Sequence, residues 1–301
     1  GLKTVMLAAQ SIACGDAEAV IAGGMENMSR APYLLDKART GYRMGNGQLL
    51  DSLLKDGLWD VYNDVHMGTC GDRCAAKYAF TRQQQDDFAA TSYQRARAAA
   101  EEGVFAREIV GVEAPAGKQM ILVKDDEGPG RFDEQKMRQL RPAFGKEGTV
   151  TAANASSLND GAAAVVVLSA AKVRELKVQP AARVLGYAAA AREPEWFTLA
   201  PIGAIDKLLK QLSLQVKDID LFEINEAFSV VPMAAMKELK IPHDKVNVHG
   251  GAVALGHPIG ASGARTLVTL LNAMKERGAR VGLNVLCIGG GEAVAMAVEL
   301  C

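Results

Sequence analysis

The sequence predicts an α/β protein made of two related halves, with a long insertion in the first. Three observations lead to this prediction. From residue 182 onward, apolar runs of strand length alternate with segments of helical periodicity, as expected for a buried sheet covered by helices. The same pattern opens the chain, and the sequences at 1–5 and 263–267 match as Gly-Leu-Lys-Thr-Val and Gly-Ala-Arg-Thr-Leu. Between residues 25 and 159 the chain is polar and irregular, which indicates an inserted lid or domain.

The first half contains two apolar segments that the insertion separates. Helical spacing of apolar residues predicts a helix at 2–14, and a continuous apolar run predicts a strand at 19–22 that ends in two glycines. After the insertion, the sequence at 159–169 returns to the buried-strand pattern. Within the insertion, charged or alanine-rich sequence predicts helices at 82–102 and 133–140.

The second half alternates between strands and helices up to the end of the chain. The predicted strands lie at 183–187, 219–224, 246–248, 282–288 and 293–299, and the predicted helices at 202–212, 228–239 and 261–277. We therefore divide the chain into an N-terminal domain at 1–27 and 159–180, an inserted domain at 28–158, and a C-terminal domain at 181–301.

The composition is that of an ordinary globular protein and excludes several functional classes. The chain has 301 residues, of which 49% are apolar, and a formal net charge of −1. It has no basic excess to hold nucleic acid, no polybasic stripe for a membrane surface and no uninterrupted apolar stretch of spanning length. No secretory signal is visible. We expect a cytoplasmic protein.

The cysteines support a reducing compartment. The chain has five cysteines, an uneven number in a chain of this length, which argues against a framework of disulfides. Cys70 and Cys74 have the spacing of half a metal site, but no second Cys or His pair lies near them. We expect both to be small apolar residues on one helix face, and we expect no metal.

The glycine-rich run at 247–265 is the strongest sign of a functional site. It holds two of the four histidines, His249 and His257. Glycine lets the backbone approach a ligand closely at a cost in conformational entropy, although a tight interdomain loop is the alternative. His257 lies between Gly256 and Pro258, just before a predicted helix N-terminus. Its imidazole is suited to act as a general base or an oxyanion donor.

Cys287 is the second candidate. It ends a predicted strand and precedes three glycines. An inert core thiol is the simpler interpretation of a strand cysteine. Its place before a turn whose N–H groups can face a cavity favours a reactive thiol instead, with a pKa that a neighbouring histidine brings towards neutral.

Two further loops contain polar residues that are candidates for a functional site. Asn225, where a strand meets a helix, is either a helix N-cap or a side chain that orients a water or an oxyanion. Glu226 is expected to hydrogen-bond backbone amides and hold the loop rather than titrate. Ser156 and Ser157 lie in a small polar loop that suits the amide groups of a ligand, or that is a solvated turn.

Together these segments resemble the C-terminal signatures of the thiolases, acyltransferases that make or cleave β-ketoacyl-CoA. The signatures are Asn-Glu-Ala-Phe at 225–228, Gly-His-Pro-Ile-Gly at 256–260 with Gly263, and Cys-Ile-Gly-Gly-Gly at 287–291. Upstream segments at 23–28, 140–144 and 154–161 match the same family. The resemblance covers the whole chain. It implies duplicated halves layered α-β-α-β-α, an inserted loop domain, an incomplete first half, and a dimer or tetramer.

The resemblance also implies the roles of four residues. His257 would activate the nucleophilic cysteine and, with a water held by Asn225, stabilise the thioester enolate. Cys287 would remove or return the proton on the acetyl α-carbon, a task for a thiol tuned near neutral pH. The backbone N–H of Gly289 would donate to the tetrahedral intermediate.

Further residues would contact the substrate. The implied contacts with acyl-CoA or CoA are Ser156, Ala152, Arg141, Phe144, His66, Met67 and Phe228. His66 and Met67 resemble the pair that narrows the acyl pocket in biosynthetic acetoacetyl-CoA thiolases. The expected partners are acyl-CoA and CoA as substrates, with no cofactor.

One departure from the family limits what these residues can do alone. The family's acyl-accepting nucleophile lies in Cys-x-Ser-Gly-Leu-(Lys/Arg), and this chain starts at the glycine, Gly1. None of the five cysteines has that position, so we expect an inactive fragment of an enzyme. The leading hypothesis is an acetyl-CoA C-acetyltransferase. The alternatives are a degradative 3-ketoacyl-CoA thiolase and a non-catalytic CoA-binding fragment.

Overall fold

The computed structural model describes residues 1–301, and its first half opens as the sequence predicts. Helix α1 (Leu2–Ala13) buries one apolar face that includes Val5 and Met6. Gly15, with φ of +82°, turns the chain after the helix. Strand β1 (Ala19–Asn27) follows and runs beyond the predicted strand, through the two glycines.

The insertion is structured throughout much of its length. It contains β2 (Tyr33–Leu35), β3 (Leu49–Asp51), β4 (Trp59–Asp60), β5 (Val65–His66), α2 (Met67–Tyr78), α3 (Arg82–Glu101), β6 (Val112–Ala116), β7 (Gln119–Val123), α4 (Glu127–Arg131) and α5 (Glu134–Gln139). The strands form three antiparallel pairs in sequence order. The predicted helices at 82–102 and 133–140 are confirmed, and a capping box between Thr81 and Gln84 starts α3.

The chain then completes the first half and builds the second. The remaining elements are β8 (Asp160–Leu168), α6 (Ala170–Leu176), β9 (Ala182–Ala191), α7 (Ala200–Leu212), β10 (Leu221–Ile224), α8 (Val230–Leu239), α9 (Ala252–Leu255), α10 (Ile259–Arg277), β11 (Val281–Ile288) and β12 (Glu292–Leu300). β8 pairs antiparallel with β1, and the second sheet has the order β10-β11-β12-β9. Only the β10–β11 pair in that sheet is parallel.

The predicted strand at 246–248 is wrong. Val246 makes a single parallel bridge with Phe222, and the chain then leaves the sheet. Asn247 takes a left-handed conformation with φ of +47°. Its side chain accepts from the N–H of Ile224 and donates to the C=O of Ile224, both at 2.8 Å, so it replaces the next rung of the ladder.

The two halves repeat one unit and meet at glycines. Each unit is a helix followed by an antiparallel strand pair, α1–β1–β8 in the first half and α10–β11–β12 in the second. The helices approach so closely that a Cβ on Gly263 would lie 2.1 Å from the backbone nitrogen of Leu2. The amino group of Gly1 donates to the C=O of Gly260 at 2.8 Å. This contact explains why the matched sequences begin with glycine.

Two apolar clusters cover the faces of the second sheet. One joins the sheet to α7 and includes Ile205, Leu208 and Leu283. The other lies between the sheet, α1 and α10, and includes Leu2 and Leu270. None of the helices combines the length and the apolar character needed to cross a bilayer.

Candidate active site

His257 enters the site from the loop before α10. Gly256, with φ of +90°, and Pro258 fix the loop on either side of it. Nε2 of the imidazole lies 3.3 Å from Nδ2 of Asn225, and Nδ1 lies 2.6 Å from Oγ of Ser262. Burial, and then the positive charge of Arg265, lower the pKa of His257 to about 4. The imidazole is therefore neutral at physiological pH.

Asn225 reaches His257 from the end of β10. Its backbone N–H extends the ladder to Val285 at 3.0 Å, and its side chain is 1% exposed. Its Oδ1 is buried without a hydrogen-bond partner, which leaves an acceptor beside the imidazole. The N-cap position of α8, which begins at Val230, is occupied by Ser229, so the N-cap interpretation of Asn225 is wrong.

Glu226 holds the loop, as expected. Its buried carboxylate accepts hydrogen bonds from the backbone N–H of Val253 and from the side chains of Ser92 and Asn247. These contacts tie α3 and α9 to the end of β10. The carboxylate thus fixes the loop that carries Asn225.

Cys287 lies one residue before the end of β11, opposite Ala293 of β12. It packs in an apolar cluster with Cys74 and Phe228. Burial raises the pKa of the Cys287 thiol to about 12, and no cation offsets it. The expectation of a thiol tuned near neutral does not hold in this structure, because burial raises the pKa of the thiol and no positive charge compensates.

Gly289 and Met67 meet at the turn after β11. A Cβ on Gly289 would lie 2.3 Å from the terminal methyl of Met67, so the end of this flexible side chain packs directly on the glycine and would have to shift to admit a larger residue. Gly290 and Gly291 continue the turn with φ of +91° and +93°. The backbone of the turn is held against the start of α2.

His66 supports the wall behind Met67. Its Nδ1 accepts from the N–H of Gly68 at 2.9 Å and caps α2. Its ring stacks on Phe144 with centroids 4.5 Å apart, and Phe144 meets the edge of Phe228 at 6.1 Å. His66 and Phe144 are therefore structural neighbours of the site.

A cavity of about 220 Å³ brings the candidates together. Six of the residues that the sequence analysis singled out line this cavity: His257, Cys287, Gly289, Ser156, Met67 and Phe228. Ser156 is fixed there because its hydroxyl donates to the C=O of Ala227 at 3.0 Å. Arg141 and Ala152 are exposed and lie outside the lining.

The structure also adds wall residues that the sequence did not single out. They include Leu58, Phe197 and Ile288, together with Gly1, Leu2 and Lys3. Leu58 directly follows a π-helical turn at Leu53–Gly57, a rare element often found at functional sites, but the sequence gives no sign of it. No cluster of three His, Cys, Asp or Glu side chains has the arrangement of a metal site.

Family models match almost the whole chain. The thiolase N-terminal domain matches residues 1–171 and the thiolase C-terminal domain matches residues 178–300. The chain belongs to the thiolase family. The predicted family is confirmed, and this thiolase chain has its His257 and Cys287 in the C-terminal match.

Named relatives resemble this thiolase chain closely. Acetyl-CoA acetyltransferase 2 of Arabidopsis thaliana is 52% identical over 303 residues, which cover 100% of this chain and 75% of that protein. The acetyl-CoA acetyltransferase of Cupriavidus necator is 51% identical over 305 residues, covering 99% and 77%. A probable acetyl-CoA acyltransferase of Staphylococcus aureus is 47% identical over 301 residues, covering 99% and 76%.

Solved structures confirm the fold. The Acat5 thiolase of Ascaris suum, in complex with coenzyme A, superimposes with a TM-score of 0.94 at 44% identity. The acetyl-CoA acetyltransferase of Bacillus anthracis gives a TM-score of 0.97 at 40% identity. Each match covers 100% of this chain and 76% of the other. The predicted thiolase fold is therefore correct.

Proposed function

We propose that the protein is an acetyl-CoA C-acetyltransferase, which joins two acetyl-CoA into acetoacetyl-CoA and CoA in a reversible Claisen condensation. One observation carries the proposal: His257, Cys287 and Gly289 border a single cavity. A base, a thiol and a backbone N–H are the groups needed around a reacting thioester. The names of the relatives and the CoA-bound Ascaris thiolase support a CoA thioester as the substrate.

His257 exchanges a proton with the acyl-accepting thiol. Its imidazole is neutral, so Nε2 has a lone pair for the thiol proton. Once protonated, the same nitrogen donates to the oxygen of the substrate enolate. Asn225 lies next to Nε2 and holds a water for that oxygen.

Cys287 exchanges the proton of the acetyl α-carbon. In thiolysis, C–C cleavage of acetoacetyl-CoA leaves an acetyl group on the acceptor thiol and an acetyl-CoA enolate. The thiol of Cys287 gives its proton to the enolate carbon. The resulting thiolate takes a proton from CoA, and the CoA thiolate attacks the carbonyl carbon of the acetyl group. The bond to the acceptor sulfur breaks, acetyl-CoA forms, and the acceptor thiolate takes its proton back from His257. The high pKa of Cys287 favours the protonated form that starts this sequence.

The acyl group is small because the turn at Gly289 leaves little room. The methyl of Met67 occupies the space beside Gly289, and Phe228 lines the same cavity. The N–H of Gly289 donates to the tetrahedral oxyanion. We therefore assign acetyl rather than longer acyl groups to this cavity.

The remainder of the substrate follows the inserted domain. We assign Ser156 to the pantetheine at the cavity, and Ala152 and Arg141 to the exposed path of the nucleotide. In this assignment residues 28–158 form the CoA-binding insertion. The protein acts as a cytoplasmic dimer or tetramer and needs no cofactor besides its CoA substrates.

The acyl-accepting thiol is not one of the five cysteines. Cys14 and Cys301 are exposed, and Cys70 and Cys74 are buried outside the cavity lining. Cys287 is assigned to proton exchange at the acetyl α-carbon and is therefore not the acyl acceptor. His257, Cys287 and Gly289 thus form the side of the site that supplies the base and the oxyanion donor. Acylation of any of the five cysteines by acetyl-CoA, seen by mass spectrometry on protein of verified mass and N-terminal sequence, would contradict this assignment.

Exchange of the acetyl-CoA methyl protons in D₂O tests the proposal on protein that holds the acceptor thiol. His257 must take that thiol's proton before Nε2 can donate to the enolate oxygen, and Cys287 must remove the proton of the α-carbon. We expect time-dependent deuterium incorporation by mass spectrometry. CoA binding without exchange would favour the non-catalytic alternative.

A chain-length series separates acetyl specificity from the degradative alternative. Thiolysis is measured on protein that holds the acceptor thiol, with acetoacetyl-CoA and a long-chain 3-ketoacyl-CoA. We expect faster cleavage of acetoacetyl-CoA, and a gain for the longer substrate in Met67→Ala. Met137→Ala, buried outside the cavity, is the matched control. Faster long-chain cleavage by the unmodified protein would assign a 3-ketoacyl-CoA thiolase.

A further inference from the structure

A buried serine contacts the second ring nitrogen of His257. Oγ of Ser262 lies 2.6 Å from Nδ1 of the imidazole. Ser262 has no exposed surface and does not line the cavity, so it does not touch a substrate there. Its only route to the chemistry is through the imidazole.

The hydroxyl of Ser262 has a second partner on its own helix. It donates to the C=O of Pro258, four residues earlier, at 2.9 Å. Because a carbonyl oxygen only accepts, this bond uses the hydroxyl proton and leaves a lone pair of Oγ for His257. Nδ1 must then be the protonated nitrogen.

The contact at the other nitrogen agrees. Nδ2 of Asn225, which only donates, lies 3.3 Å from Nε2 of His257. Nε2 must then present a lone pair. One series of hydrogen bonds therefore runs through the site, and each group donates to the next. Asn225 donates to His257, His257 donates to Ser262, and Ser262 donates to the C=O of Pro258.

Reversing the direction of these hydrogen bonds requires two rearrangements. Ser262 would donate to Nδ1, and the amide of Asn225 would turn so that Oδ1 accepts from a protonated Nε2. The C=O of Pro258 would still accept from the backbone N–H of Ala261 and Ser262, at 2.9 and 2.8 Å. The two directions thus differ in a measurable property, the ring nitrogen of His257 that holds the proton.

We propose that Ser262 is a positioning residue that fixes the Nδ1–H tautomer of His257 and thereby keeps Nε2 unprotonated for the acceptor thiol. The inference rests on the proposed role of His257 as the base. When Nε2 gains a proton, Ser262 keeps its bond to Nδ1–H unchanged. The ring therefore changes charge without changing its orientation.

Nitrogen-15 NMR of the imidazoles tests this without any turnover. Protonated and unprotonated ring nitrogens have well-separated chemical shifts. The signals of His257 are identified among those of the four histidines by their loss in His257→Gln. In the unmodified protein at neutral pH, we expect His257 to show a protonated Nδ1 and an unprotonated Nε2. A protonated Nε2 would overturn the proposal, whatever the variants do.

The variants test whether Ser262 is the cause. Ser262→Ala should move His257 towards the Nε2–H tautomer, which a free histidine side chain prefers, and should slow methyl-proton exchange about tenfold, as expected for one lost hydrogen bond. Ser262→Thr keeps the hydroxyl and should restore both properties. Thr266→Val is the matched control, since Thr266 makes the same bond to the carbonyl four residues earlier, at 2.9 Å, but does not contact His257.

The outcomes separate this inference from the proposed function. An unchanged tautomer in Ser262→Ala would show that Ser262 does not fix it, even if exchange is normal. The expected tautomer in a protein that performs neither exchange nor thiolysis would refute the proposed function and leave the role of Ser262 intact. An equal tautomer shift in Thr266→Val would assign the effect to the helix and contradict the proposal.

Discussion

The two helix–strand–strand units have the same connectivity but differ in how they are covered. In α10–β11–β12 the central residues of both strands are buried. In α1–β1–β8 exposed and covered positions alternate, and the paired residues Ile21 and Val166 are 78% and 65% exposed. His257 lies in the loop directly before α10 and Cys287 near the end of β11, so both lie at the edge of the covered unit. In this chain the candidate base and thiol thus lie at a helix start and a strand end that packed residues hold on both sides.

The largest expected effect is the loss of the base in the covered unit. His257→Gln removes the nitrogen that gains the proton while keeping a polar side chain. We expect methyl-proton exchange to fall by a factor of about 10²–10³, the usual contribution of one donor to a developing oxyanion, because Cys287 removes the methyl proton while His257 stabilises the enolate oxygen. His243→Gln, whose ring stacks on Phe88 outside the cavity, is the control. Equal losses in both variants would show that the covered unit does not supply the base.

The second prediction compares buried and exposed apolar residues in equivalent sheets. Leu283 in β11 has no exposed surface, whereas Ile21 in β1 is mostly exposed. Leu283→Ala should lower the free energy of unfolding by about 2–5 kcal/mol, since it leaves a cavity. Ile21→Ala should change it by less than about 0.5 kcal/mol. Urea unfolding measures both, and similar losses would remove the distinction between the units.

The third prediction concerns the contact between the units. Gly263→Ala places a methyl against the backbone of Leu2, so the two helices must separate. We expect a loss of about 1–3 kcal/mol, as for other overpacked sites. Gly145→Ala, which meets no atom within 4 Å, is the matched control. If Gly263→Ala unfolds at the same urea concentration as the control, the helices are not in close contact.

The smallest effect is a pH dependence at Glu223 of β10, the strand that pairs with the covered unit. Burial raises the pKa of Glu223 to about 8, although Arg265 lies 3.4 Å away. A raised pKa in the folded state gives stability that is full below the ordinary value of 4.5 and is lost as pH rises through about 8. Glu223→Gln, which cannot ionise, should therefore gain stability relative to the unmodified protein between about pH 5 and about pH 9.

Urea midpoints across that pH range check the direction. Glu101→Gln, at an exposed position on α3, is the control and should follow the unmodified protein. A stability difference for Glu223→Gln that is constant with pH, or that shrinks as pH rises, would contradict the raised pKa.

The sequence predicted most of the fold because its strands and helices keep their periodicity. The exception at 246–248 shows the limit of that reasoning. The apolar residues have strand character, but the side chain of Asn247 satisfies the backbone of Ile224 and the chain turns away. Such a side-chain substitute for a ladder rung leaves no periodic signal.

The site was predictable in its residues but not in its electrostatics. Glycine and proline around His257, and glycines after Cys287, marked both positions. Burial lowers the pKa of His257 and raises that of Cys287, and Arg265, from a later turn of α10, lowers the pKa of His257 further. The contact of Ser262 with His257 likewise depends on how the loop meets the helix. Spacing alone cannot predict these interactions.

Methyl-proton exchange of acetyl-CoA by Cys287→Ala tests the central claim most directly. If Cys287 exchanges the α-carbon proton, the variant should still bind acetyl-CoA but incorporate deuterium at least about 10²-fold more slowly than the unmodified protein. Cys14→Ala, at an exposed position outside the cavity, should exchange normally. Undiminished exchange by Cys287→Ala would contradict the account of this site.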